Sequence, residues 1–81
     1  MPQPMNIFRQ IQDIPEGGWG FVDGSWCVRP PGRRMAVRLG HHEVTEHIDG
    51  TITVRPSIIY STTTHEDYWH GWLTKGRWRS A

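Results

Sequence analysis

Two aspartate–glycine pairs, Asp23-Gly24 and Asp49-Gly50, each sit between runs of aromatic and β-branched residues, and this constrains the fold more than any other feature. Asp-Gly readily adopts the positive backbone φ that tight hairpin turns demand, while the flanking residues favour a pleated, half-buried surface. The first pair is bracketed by Trp-Gly-Phe-Val and Ser-Trp-Cys-Val, so residues 19–28 are predicted to form a hairpin. Pro30-Pro31-Gly32 then forces a loop.

The register of the second hairpin, within 42–55, can be argued. A two-residue Asp-Gly loop pairs Val44 with Arg55 and His47 with Ile52, which sends the apolar residues of the two strands to opposite faces. A three-residue loop, with Ile48-Asp49 in a turn and Gly50 left-handed, pairs Val44 with Val54 and Glu46 with Ile52. A one-residue slip flips the facing of a whole strand, so the longer loop is expected. Pro56 confines the second strand's end to an edge or a bulge. Ser57-Ile58-Ile59-Tyr60 extends the strand, and 61–67 reads as a polar surface loop.

The last stretch, from Tyr68 to Ser80, reads as a third hairpin turning at Thr74-Lys75-Gly76. A three-residue loop sets Trp72 opposite Trp78, with His70 on the same face. A two-residue loop instead sets Leu73 opposite Trp78. Both registers stay open, because apolar residues fall on both faces.

Residues 34–39 alternate, with Met35, Val37 and Leu39 on one face and Arg34, Ala36 and Arg38 on the other, as in a half-buried strand with a basic outer face. Near the N-terminus, Asn6 can cap a short helix in which Ile7, Phe8, Ile11 and Ile14 share a face and Pro15 ends it; an extended strand competes. The expected architecture is mostly β: a small antiparallel barrel or sandwich of roughly five to six short strands, with at most this one N-terminal helix. The chain is read as a single domain over 1–81, with 1–6 a loose lead-in.

Composition narrows the function classes. The 81 residues carry a net charge of only +1, which removes the broad basic footprint of a general nucleic-acid binder. One Cys cannot form an internal disulfide. No secretory leader and no membrane-length apolar run is present, so a cytoplasmic location with no membrane partner is expected. Five Trp and a basic complement made almost wholly of Arg are unusual, and both residue types are enriched at binding hot spots.

From residue 34 onward, Asp49-Gly50, Val54-Arg55-Pro56-Ser57-Ile58, His70-Gly71-Trp72-Leu73 and Gly76-Arg77-Trp78 follow in order. Together these segments resemble the C-terminal half of a family of small phage- and prophage-encoded proteins of unknown function. Many members carry a Cys-rich knuckle and a Cys just before the His, which implies bound zinc in them. Here only Cys27 lies upstream and Trp69 occupies the second thiol's place, so the zinc site is not carried over and no cofactor is expected.

Other chemistry-bearing residues are scattered along the chain. His41, His42, His47, His65 and His70 supply imidazoles but match no tight ligand motif. The alternative of a zinc domain rests on His70 with His65, His47 or His42. Cys27, between Trp26 and Val28, reads as a small buried residue, and no nucleophile elbow or phosphate loop points to an enzyme. Arg29, Arg33, Arg34 and Arg38 can form a phosphate-contacting strip, although Glu43, Glu46 and Asp49 follow closely and favour a mixed solvated surface.

The main candidate site is the C-terminal cluster of Trp69, His70, Trp72, Arg77, Trp78 and Arg79. One hairpin face must bury. Exposed aromatics beside Arg suit a protein partner, including a second copy of the chain, or, alternatively, the stacked bases of a single-stranded nucleic acid. The competing arrangement packs all three Trp inward under Arg stems. The expected function is therefore a non-enzymatic binding module of phage or prophage type.

Overall fold

The computed structural model describes residues 6–61 and 68–81. Its strands are β1 (Trp19–Val22), β2 (Ser25–Val28), β3 (Val37–Arg38), β4 (Glu43–Glu46), β5 (Ile52–Ser61), β6 (Tyr68–Thr74) and β7 (Arg77–Ser80). They form two antiparallel meanders, β1-β2-β3 and β4-β5-β6-β7. The fold is thus mostly β and sandwich-like, not a closed barrel, and its strands outnumber the expected five or six.

Each hairpin follows from its turn residues. Asp23 (φ 48°) and Gly24 (φ 80°) make a two-residue turn that sets Val22 opposite Ser25. At Asp49-Gly50 the longer loop forms: Val44 pairs with Val54 and Glu46 with Ile52, and the His47 amide donates to the Thr51 carbonyl at 2.8 Å. Gly50 takes φ 87°. The Asp49 carboxylate accepts from the Thr51 hydroxyl at 2.6 Å and from the Thr51 amide at 3.0 Å. Those donors hold its carboxyl below the ordinary range, because they favour the charged form.

At the third hairpin the short loop wins. Lys75 (φ 48°) and Gly76 (φ 77°) set Leu73 opposite Trp78 and Trp72 opposite Arg79. A crowded neighbourhood accompanies this turn: the Gly76 amide donates to the Ile52 carbonyl at 3.0 Å, and a Cβ at Gly76 would lie 2.9 Å from Thr51 and 3.0 Å from Trp19.

The main core lies between the sheets. Val28 and Leu39 from the first sheet region meet Ile52, Val54, Ile58 and Tyr60 of β5 and Trp69 and Leu73 of β6. Burying each aliphatic side chain here contributes about 1.5–3 kcal/mol. Two indoles also tie the sheets together. Trp19 Nε1 donates to the Gly50 carbonyl at 3.1 Å, and Trp78 Nε1 donates to the Gly17 carbonyl at 2.8 Å.

Pro56 falls inside β5, an interior strand. The strand accommodates it with a register shift between Val54 and Ile58, and the Arg55–Pro56 peptide is cis. The bulge expected from this proline is therefore the form the chain adopts, while the edge position is not.

Over 7–14, where the sequence leaves a helix and an extended strand both open, the chain takes the extended alternative. No helix forms over 7–14. Phe8 donates to the Phe21 carbonyl at 3.0 Å and Phe21 donates to the Asn6 carbonyl at 2.7 Å, so this segment runs extended along β1 before a single 3-10 turn at Ile11–Asp13. A span this short cannot offset helix nucleation, whereas the β1 edge offers its backbone ready partners.

The strand expected over 34–39 needs correction. Only Val37–Arg38 is strand, Met35 is 54% exposed, and Ala36 is buried instead of lying on an outer face. Val37 and Leu39 do share the main core as expected. Ala36 instead joins Ile14, Val22 and Cys27 in a second apolar cluster, covered by Phe8 and Ile11. The first sheet is thus covered on both faces. Of the expected lead-in over 1–6 and loop over 61–67, residues 1–5 and 62–67, His65 among them, lie outside the described residues, while Ser61 ends β5.

Candidate interaction surface

The two-residue turn at Lys75-Gly76 decides what the C-terminal hairpin displays. With Leu73 opposite Trp78, alternation sends Trp69, Gly71, Leu73 and Trp78 toward the first sheet. His70, Trp72, Arg77 and Arg79 take the opposite face. The predicted cluster is therefore divided by the sheet, in a combination that the three-residue loop could not produce.

Trp69 is 9% exposed and meets Trp78 edge to face, with centroids 5.3 Å apart at 87°. That geometry aligns the positive ring edge with the negative ring face. Trp78 is half-buried against the main core. These two indoles are structural supports; the competing arrangement with all three Trp inward is not the one adopted, since Trp72 packs with Arg79 and His70 on the other face.

On the outer face the arrangement differs. The Arg79 guanidinium carbon stands 4.7 Å from the centroid of the Trp72 ring, and the His70 ring centroid lies 5.9 Å from it, tilted by 34°. Arg79 is opposite Trp72 in the ladder, and His70 precedes Trp72 by one strand repeat. Ile59, opposite His70, is 62% exposed; Tyr68 beside them is 54% exposed. Trp72 itself is half-buried. The result is an aromatic and aliphatic strip on a sheet face, rimmed by Arg77 and Arg79.

The β5 bulge shapes one end of this strip. An open groove of about 780 Å³ runs beside Trp72 and is lined by His41, Glu43, Arg55, Pro56 and Ser57. Ser57 anchors two imidazoles: His70 Nε2 lies 3.1 Å from its hydroxyl, and His42 Nε2 donates to its carbonyl at 3.0 Å. Motif and spacing give no sign of this organising role of Ser57, for which the neighbouring Pro56 is the only local signal.

The remaining candidates separate. His47 bonds the Thr53 hydroxyl at 2.7 Å, away from the His42–Ser57–His70 group. Among the described residues no group of three or more His, Cys, Asp or Glu is placed to hold a metal ion. Cys27 is fully buried, with its thiol directed at the Ser25 carbonyl at 3.7 Å. Burial pushes that thiol's pKa up, and Arg38 only partly opposes the shift, which is the reverse of what an activated nucleophile needs.

The arginines weighed as a phosphate-contacting strip, Arg34 apart, are engaged with the fold. Arg29 donates to the carbonyls of Arg33 (2.8 Å) and Ile14 (3.2 Å), Arg33 to that of Tyr68 (2.9 Å), and Arg38 to that of Val22 (3.4 Å). Guanidinium forks here replace backbone partners that loops lack, a use of Arg that composition alone does not reveal. No helix among the described residues is long and apolar enough to cross a membrane.

Comparison of the chain with family models, with curated proteins and with solved structures finds no match.

Proposed function

We propose that the chain is a non-enzymatic interaction module of phage or prophage type that works in the cytoplasm and docks a protein partner on the outer face of the β4-β5-β6-β7 sheet. One observation carries the reading: Ile59 and Tyr68 stand more than half exposed beside the His70–Trp72–Arg79 group. A small chain gains no stability from leaving large apolar groups in water, and a contiguous strip of them with an Arg rim has the composition of a binding hot spot. The phage origin rests on the sequence resemblance alone.

The test is site-specific photo-crosslinking in the producing cells, with the crosslinker placed at Ile59 or Tyr68 and, as control, at exposed Gln12 beyond the first sheet. The expected result is one discrete adduct from the first two positions, none from the third, and loss of the adduct in Trp72→Ala while the fold persists. Equal capture from both sides of the molecule, or none from Ile59 and Tyr68, overturns the reading. Quenching of Trp emission by oligonucleotides, weakening as salt rises, replaces the protein partner with a single-stranded nucleic acid.

A further inference from the structure

The four-stranded sheet ends in two edges of opposite charge. β4 carries Glu43 and Glu46, and β7 carries Arg77 and Arg79. Each of these strands has a ladder neighbour on one side only. Among the described residues, no backbone-to-backbone hydrogen bond outside the ladders reaches Glu43, Val44 or Thr45, or the span from Arg77 to Ser80. Such an edge is a template for another strand.

Charge decides which strand. Pairing β4 with β4 of another copy brings carboxylates together, and pairing β7 with β7 brings guanidinium groups together; both are disfavoured. The mixed pairing is attractive. All three ladders of the meander are antiparallel, so β7 runs antiparallel to β4. A second copy in the same orientation therefore continues the sheet with the same kind of pairing.

One register satisfies faces, charges and apolar contacts together. Setting Val44 opposite Trp78 of the next copy places Glu43 opposite Arg79 and Thr45 opposite Arg77. Glu43 and Thr45 share the outer face with Arg77 and Arg79, as their ladder partners Arg55, Thr53, Thr74 and Trp72 show. Val44 and Trp78 are both partly buried residues at the margin of the core, so the junction also completes their cover.

We propose that the chain self-associates head to tail, with β7 of one copy adding antiparallel to β4 of the next. The contact uses two different patches, so each added copy leaves one β4 and one β7 edge open, and assembly continues beyond a dimer unless a ring closes. The exposed Glu43–Arg79 pair across the junction makes it salt-sensitive, since screening acts over about 8 Å at physiological ionic strength.

Sedimentation velocity of the full chain at low salt tests this. The expected result is a mean mass that rises with concentration past the dimer and falls when salt is added. The Arg77→Glu/Arg79→Glu double variant and the Glu43→Arg variant should each sediment as monomers with an unchanged strand circular dichroism signal. An equal mixture of the two should associate again, because each variant's altered edge then meets an opposite charge. A monomeric wild type at every concentration, association that survives either variant, or a folded mixture that stays monomeric overturns the proposal. If the double variant does not fold, Glu43→Arg alone still decides, since its position is exposed.

Discussion

Gly71→Ala is expected to lower the stability of the fold by about 3 kcal/mol, the upper part of the usual range for forcing an extra carbon into a packed site. Gly71 is buried in β6 opposite Ser80. A Cβ there runs into the Arg79 carbonyl oxygen and comes within 2.6 and 2.8 Å of the Trp69 ring. Neither neighbour yields cheaply: the first is backbone, and the second is pinned against Trp78. For a domain of this size the loss corresponds to a fall in Tm of roughly 12–24 °C, readable by thermal denaturation. Gly40→Ala is the internal control, because a Cβ added there would meet nothing within 4 Å, and it should melt close to wild type.

The second large effect separates the tryptophans. Trp69→Ala removes a core indole together with its edge-to-face partner contact and should cost about 3–5 kcal/mol. Trp72→Ala removes a half-buried ring that contacts Arg79 and His70 on the outer face, and should cost about 1 kcal/mol. Urea denaturation of both variants gives the comparison directly. A docking role for Trp72 requires that order, since a side chain displayed for a partner is one the free fold can lose. Comparable losses from the two variants would show that Trp72 is a structural support as well.

Much of the fold is legible in the residues, for physical reasons that differ between segments. The Asp49-Gly50 register can be derived because Val44 is the one apolar residue of 42–47 while Ile52 and Val54 share a face of the next strand, so only one loop length puts Val44 on that face. Apolar alignment has no such grip at Lys75-Gly76. Leu73, Trp72, Trp69 and Trp78 place apolar surface on both faces, and either loop length buries a plausible set. What breaks the tie is tertiary. Trp78 shares the core-facing side of Leu73 and Trp69, and reaches Gly17, in the register that pairs it with Leu73.

The N-terminal half is less legible because its partners are distant. Phe8, Ile11 and Ile14 carry a spacing compatible with one helical face, yet their task is to cover Val22, Cys27 and Ala36 on the back of the first sheet. Alternation along 34–39 marks one apolar face correctly at Val37 and Leu39. It cannot announce that Ala36, on the other face, is buried by a segment much earlier in the chain. The candidate surface suffers a related loss: Ile59 and Tyr68 read as ordinary strand residues until pairing sets them beside His70 and Trp72.

The outer strip owes its Arg rim to the β6–β7 register, which sets Arg77 and Arg79 on the face of His70 and Trp72 and turns Trp78 to the face of Trp69. Cross-strand nuclear Overhauser effects between backbone protons measure it most directly. The expected contacts join Leu73 to Trp78 and Trp72 to Arg79 across the Lys75-Gly76 turn. Contacts joining Trp72 to Trp78 would contradict it, because they would turn Trp78 to the face of Trp72 and move Arg77 and Arg79 off that face.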